Sequence, residues 1–125
     1  MRTSFRLRPL AGALTASALA LGALTLTAAP ADAATVYKCN RIYYTGEALT
    51  AYGDSGNRVI QAQCGLVSYG RLKAADVDGQ FGSKTRAAVI AFQNSLKYNS
   101  ACGENVSVDG IVGPVTWYFL RYGCG

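Results

Sequence analysis

The sequence predicts an all-α domain of three short helices, preceded by an N-terminal strap and held by two disulfides. Three observations lead there. Apolar residues recur at spacings of three and four in three separate segments, one short phrase occurs twice ahead of a helical pattern, and four cysteines are spread along a small exported chain.

Residues 1–33 read as a cleavable signal peptide. Arg2, Arg6 and Arg8 make a positive start, an apolar run extends from Leu10 to Ala29, and Ala31-Asp32-Ala33 puts small residues where a signal peptidase reads. The run is about long enough to span a bilayer, so an uncleaved anchor competes; its Thr, Ser and Gly content and the Ala-x-Ala site favour cleavage. Cys39 follows Val36, Tyr37 and Lys38 rather than small residues, which argues against a lipid-modified cysteine. The mature chain is then expected from Ala34, secreted and extracellular or cell-wall associated. Residues 34–55 form the strap and 56–125 the helical domain.

Removing Arg2, Arg6, Arg8 and Asp32 from twelve basic and seven acidic side chains leaves nine and six, a net charge of about +3. That mild excess suits a polyanionic extracellular surface and lacks the basic runs of a nucleic-acid binder. Cys39, Cys64, Cys102 and Cys124 all lie in the exported part, where an even count reads as two disulfides with three possible pairings. A zinc site would need ligands at short spacing; the nearest cysteines are 22 residues apart and the chain has no histidine. Cys39 and Cys124 stand at the two ends of the mature chain, and chain termini often lie close together. Cys39 with Cys124, and Cys64 with Cys102, is therefore the expected pairing.

The first helix is expected over Arg58 to Tyr69, where Val59, Ala62, Leu66 and Tyr69 form one stripe after a turn at Asp54 to Gly56. Gly65 inside it costs about 1 kcal/mol against Ala and points to close approach of another segment beside Cys64. The second runs from Ser83 to Leu96, with Thr85, Ala88, Val89, Phe92 and Leu96 on one face and Lys84, Arg86, Gln93 and Asn94 largely off it. The third starts at Pro114, which suits a first helical position. Thr116, Phe119 and Leu120 make its inner stripe, Trp117, Tyr118, Arg121 and Tyr122 fall partly outside, and Gly123 ends it.

The repeated phrase is VDGQFGSKTRAAV at Val77 to Val89 and VDGIVGPVTWYFL at Val108 to Leu120, offset by 31 residues. Asp78 and Asp109 are placed to accept backbone N–H groups in Asx-type turns, Gly79 and Gly110 to take positive φ, and Gly82 and Gly113 to lead into the helices, with Phe81 and Val112 plugging the core between. A glycosidase carboxylate pair is the sharper alternative. The local structural task of both aspartates weighs against it.

Gly56, Val59, Gln63 and Leu66, then DGQFGSKT with Ala88-Val89 and Phe92-Gln93, then DGIVGPVTW with Leu120, resemble the type 1 peptidoglycan-binding domain family. The resemblance spans Gly56 to Leu120 and implies a compact three-helix domain that binds bacterial cell-wall glycopeptide, commonly attached to a wall hydrolase or carboxypeptidase. Two departures stand out. Ala62 occupies a position where the family usually has Leu, and the stretch between Gln93 and Asp109 is longer than usual, with Tyr98, Asn99, Cys102 and Glu104 in the added loop.

The side-chain inventory argues against catalysis. A zinc amidase or carboxypeptidase needs histidine ligands, a cysteine nucleophile needs a base, and the mature acids Glu47, Asp54, Asp76, Asp78, Glu104 and Asp109 form no recognisable catalytic setting. Sugar binding calls for flat aromatic faces with polar groups beside them, and stem-peptide binding adds cations for carboxylates. The eight tyrosines and single Trp make Tyr69, Arg71, Arg86, Gln93, Trp117, Tyr118 and Tyr122 the candidate contacts. The expected function is a monomeric, noncatalytic peptidoglycan-binding module without cofactor or metal, with neither nucleic acid nor, after cleavage, membrane as partner. A module that binds or inhibits a wall enzyme is the alternative, and a small secreted hydrolase a third reading.

Overall fold

The computed structural model describes residues 35–124. The expected signal peptide lies outside the described residues. Three helices follow the strap: α1 (Asn57–Ser68), α2 (Ser83–Lys97) and α3 (Pro114–Tyr122), with single 3-10 turns at Ala74–Asp76 and Gly103–Asn105. Among the described residues, extended pairing is confined to two isolated bridges, Thr50 with Val112 and Ser55 with Gln80.

Each helix starts directly after a glycine and none has a side-chain cap at that glycine. Their stability therefore rests on buried stripes. α1 buries Val59, Ile60, Ala62, Gln63, Cys64 and Leu66; α2 buries Thr85, Ala88, Val89, Phe92, Gln93 and Leu96; α3 buries Thr116, Trp117 and Leu120. Full burial of a side chain such as Leu66 contributes roughly 1.5–3 kcal/mol. Gly65 is where α3 crosses α1: a Cβ there would come within 3.1 Å of Leu120 Cδ2. A side chain at Gly65 therefore requires Leu120 to shift by a few tenths of an ångström.

The inner stripe of α3 differs from the sequence expectation. Trp117, placed partly outside by its period, is fully buried, and Phe119 is only half-buried. The strap is the reason. Its Tyr44 ring packs 5.5 Å from the indole, and Trp117 Nε1 donates to Ala48 O at 2.9 Å. A helical wheel drawn for a free-standing α3 omits this covering.

The strap is pinned along its length. Tyr37 N donates to Val77 O (2.8 Å), Thr50 and Val112 exchange backbone bonds (3.1 and 2.8 Å), Gly53 N donates to Phe81 O (2.9 Å), and Phe81 N donates to Asp54 O (2.9 Å). Strap residues thus pair with both copies of the repeat, at Phe81 in the first and Val112 in the second. The turn at its end is closed by Asp54, whose Oδ2 accepts Ala51 N at 2.9 Å and faces Arg58 at 3.2 Å. The Ala51 hydrogen bond, then the Arg58 guanidinium, hold the Asp54 carboxyl below its ordinary value of 3.8.

The disulfides join Cys39 to Cys64 and Cys102 to Cys124, which overturns the expected pairing. Terminal proximity misled because the core is divided. Cys64 belongs to a small cluster with Ile60 and Val77, against which the strap tyrosines Tyr37 and Tyr43 pack. Cys102 belongs to the main core, and Cys124 packs against that core. The first bridge fastens the strap to α1; the second fastens the loop after α2 to the end of α3, rather than laying that loop over α1.

These restraints give three expected outcomes. The bridges close spans of 25 and 22 residues, and in the chain-entropy model removal of either by paired Cys→Ala substitution lowers stability by about 3.5 kcal/mol, measurable by urea unfolding. A nonreducing peptide map should recover Cys39–Cys64 and Cys102–Cys124 fragments only. Because the Asp54 pKa is depressed by folding, its stabilisation is present above the unfolded value and lost as pH falls through the folded one. Asp54→Asn should therefore melt below the parent at neutral pH, with the gap closing as pH falls below the unfolded value of 3.8 and through the lower folded one.

Candidate functional site

The repeated phrase builds an internal clamp, twice. Gln63 on α1 reaches the start of α2: its Nε2 donates to Asp78 Oδ1 (3.1 Å), Gln80 O (3.1 Å) and Thr85 Oγ1 (2.9 Å), while its Oε1 accepts Gly79 N (2.9 Å). Gln93 on α2 repeats the arrangement at the start of α3. Its Nε2 donates to Asp109 Oδ1 (3.1 Å), Ile111 O (2.9 Å) and Thr116 Oγ1 (3.1 Å), and its Oε1 accepts Asp109 N (3.1 Å) and Gly110 N (2.9 Å). Both glutamines are fully buried. Each aspartate also accepts the N–H two residues on, Gln80 N at 2.9 Å and Ile111 N at 3.0 Å, closing an Asx turn over a glycine at φ 76° and 75° respectively.

The carboxylates of Asp78 and Asp109 are thereby spent on turns and amides. Thr85 and Thr116, buried at the first turns of α2 and α3, complete the clamps. Among the described residues no three His, Cys, Asp or Glu side chains group as metal ligands.

A groove of about 630 Å³ opens elsewhere, between the strap, α1 and the end of α3. The Cys39–Cys64 bridge lies in its wall. Gln61 faces it from α1: its Oε1 accepts Tyr43 N (2.7 Å) and Tyr44 N (3.3 Å), while its amide nitrogen has no protein acceptor among the described residues. Arg121 faces it from α3. Its Nη2 donates to Gly46 O (2.6 Å) and Tyr44 O (3.4 Å), and its guanidinium lies 4.7 Å from the Trp117 ring centroid. The ion pairs among the described residues are Arg58 with Asp54 and Lys84 with Asp76, so this half-buried cation is fixed in place by carbonyls and an indole without a carboxylate partner. Arg41 and Glu47 add exposed charges to the lining, and Ile42, Val67 and Leu120 apolar surface.

The seven expected contact residues do not converge. Gln93 and Trp117 are buried with their polar atoms used internally, which removes both from the surface set. Tyr69 is 39% exposed, stacks 5.0 Å from Phe92 and donates its hydroxyl to Phe119 O at 3.1 Å. Arg71 lines a shallow depression with Lys73 and Lys84, and Arg86 another with Tyr52 and Ile90. Tyr118 borders a third hollow with Val115 and Phe119 on α3 and Ser100 of the long loop. Of the seven, Tyr122 alone lines the strap groove, 5.0 Å from the Tyr118 ring. Sequence reasoning missed Gln61 and Arg121, for which period and spacing give no signal. It also missed the role of Gln63 and Gln93, for which a signal exists: one glutamine stands ahead of each Asp-Gly turn, by 15 residues and by 16.

The scaffold is thus three helices in which a glutamine on α1 and another on α2 each clamp the Asp-Gly turn that leads into the next helix. The family model described as "Putative peptidoglycan binding domain" matches residues 55–100, spanning α1, the first clamp and α2. An uncharacterized protein of the bpoA1 3′ region in Kitasatospora aureofaciens is 40% identical over 115 residues, covering 90% of each chain. The zinc D-Ala-D-Ala carboxypeptidase of Streptomyces albus G is 35% identical over 119 residues, 89% of this chain but 42% of that enzyme. A crystal structure of a peptidoglycan-binding protein from Clostridioides difficile in complex with glutamine hydroxamate is 36% identical, covering 59% of this chain and 40% of that one at a TM-score of 0.49. The chain belongs to the peptidoglycan-binding domain family.

The clamps make a direct stability test. Gln63→Ala strands the buried Gly79 N–H and Gln93→Ala the Asp109 and Gly110 N–H groups, and each removes an amide donor from a buried threonine hydroxyl, so each should lose about 2–4 kcal/mol in chemical unfolding. A loss below about 1 kcal/mol would show that water or a shifted turn satisfies those groups instead.

Proposed function

We propose that this protein is a noncatalytic module that binds bacterial cell-wall peptidoglycan, acting outside the membrane after removal of residues 1–33. The observation that carries the reading is the duplicated glutamine clamp, built from residues that carry the family resemblance, which leaves the strap groove open as a concave surface. The chain aligns with less than half of the carboxypeptidase relative, and it contains no histidine from which a zinc centre of that class is built. Its aspartates at the repeat are engaged in turns rather than paired across a cleft. Binding without bond cleavage is the chemistry these residues support.

The alternative, docking to a wall enzyme, hinges on the long loop after α2. Were that loop to cover the groove, wall binding would lose its surface. The Cys102–Cys124 bridge instead ties the loop to the end of α3, and among the described residues none of the loop lines the strap groove.

The oxidised mature protein is expected to sediment with purified sacculi at low salt and to release neither reducing sugar nor free amine from them. Complete recovery in the supernatant sinks the binding reading; product release sinks the noncatalytic one.

A further inference from the structure

We propose that the strap groove takes the stem peptide of peptidoglycan by a free terminal carboxylate, with Arg121 and Gln61 as the receiving groups. This rests on the wall-binding reading and names the part of the polymer that is recognised.

Arg121 carries the argument. A guanidinium has five N–H donors, and only Nη2 is used here, towards Gly46 O and Tyr44 O. The Nε and Nη1 donors have no protein acceptor among the described residues, yet the group is half-buried and immobilised against the Trp117 ring. A cation held this way has already lost its side-chain freedom and part of its hydration. A carboxylate placed against it gains a charge-assisted, potentially bidentate pair with little further ordering cost. The Gln61 amide is held in the same manner by Tyr43 N and Tyr44 N at its oxygen, which directs its unused nitrogen donors to the groove.

The remaining lining favours a peptide over a sugar. Ile42 and Val67 offer surface for alanyl methyl groups, and the Glu47 carboxylate suits the ammonium of a diamino acid. A pyranose would need exposed flat aromatic faces along the groove. The Tyr44 ring is instead packed on Trp117, and its hydroxyl accepts Ala48 N at 3.0 Å. Tyr122, 70% exposed at the rim, stands alone in this respect among the groove's aromatic residues.

The test is an NMR titration of the oxidised, isotope-labelled mature protein with three probes: the stem tetrapeptide L-Ala-γ-D-Glu-diaminopimelyl-D-Ala, its C-terminal amide, and a chitin tetrasaccharide. The tetrapeptide should shift the Gly46 amide and the Gln61 and Arg121 side-chain resonances saturably. The amide form should bind about tenfold more weakly. Gln61→Glu retains the oxygen that holds the strap while placing a like charge beside the ligand, so it should weaken tetrapeptide binding at least about tenfold with its melting temperature unchanged. Equal affinity for acid and amide, undiminished binding by Gln61→Glu, or groove shifts with the sugar alone overturns the proposal. Sedimentation with sacculi separates the levels: retention alongside such a result removes only the carboxylate site, whereas loss of retention by the parent protein removes the wall-binding reading.

Discussion

A buried glutamine that satisfies the backbone of the next helix's starting turn is the constraint on which the structure depends. An Asp-Gly turn with positive φ leaves backbone N–H groups directed inward, where an unpaired donor costs about 1–3 kcal/mol. No neighbouring helix can supply that many acceptors and donors from apolar side chains. Gln63 and Gln93 do so with one amide each, and because the amide sits on the preceding helix, satisfying the turn also fixes where the next helix begins. The α1–α2 and α2–α3 relations are thus two instances of one contact.

The strap completes this arrangement. It pairs with Phe81 in the first copy and Val112 in the second, so the two turns are held to a common segment as well as to the helices before them. Asp54 closes the strap's own turn immediately before α1, and Cys39–Cys64 fastens its beginning to the far side of the same helix. A domain this small buries a limited core. The backbone of residues 50–54 supplies what an additional layer would otherwise provide.

Helix positions were legible in the sequence because their determinants are local: Pro114, the doubled Asp-Gly turn, and stripes such as Val59, Ala62 and Leu66 each act within a few residues. Burial of Trp117 and Gln93 was not. A Trp in a short helix and a Gln on a polar edge read as surface until the strap and the next turn are in place, and both of those come from distant sequence. The disulfides failed for a related reason. Terminal proximity is a statement about the chain as a whole, whereas pairing follows membership in one of two apolar clusters, to which Cys64 and Cys102 belong separately. For the groove, the sequence supplied Tyr122 but neither Gln61 nor Arg121, whose importance lies in which donor each leaves unused.

The two copies of the repeat also show how one scaffold can have a bare face and an occupied one. At the 31-residue offset, Arg86 and Ile90 of α2 correspond to Trp117 and Arg121 of α3. On α2 these positions remain open to a shallow depression beside Tyr52, with Arg86 exposed. On α3 the strap covers them, which permits a fully buried indole at the first position and pins the arginine at the second. The two positions therefore hold a surface cation and an isoleucine in one copy, and a buried indole and an oriented cation at the edge of a groove in the other. The difference joins a change of residues within the repeat to a covering segment outside it: the Trp and Arg of the second copy meet the strap's carbonyls, and the chemistry of the groove is set where the strap crosses them.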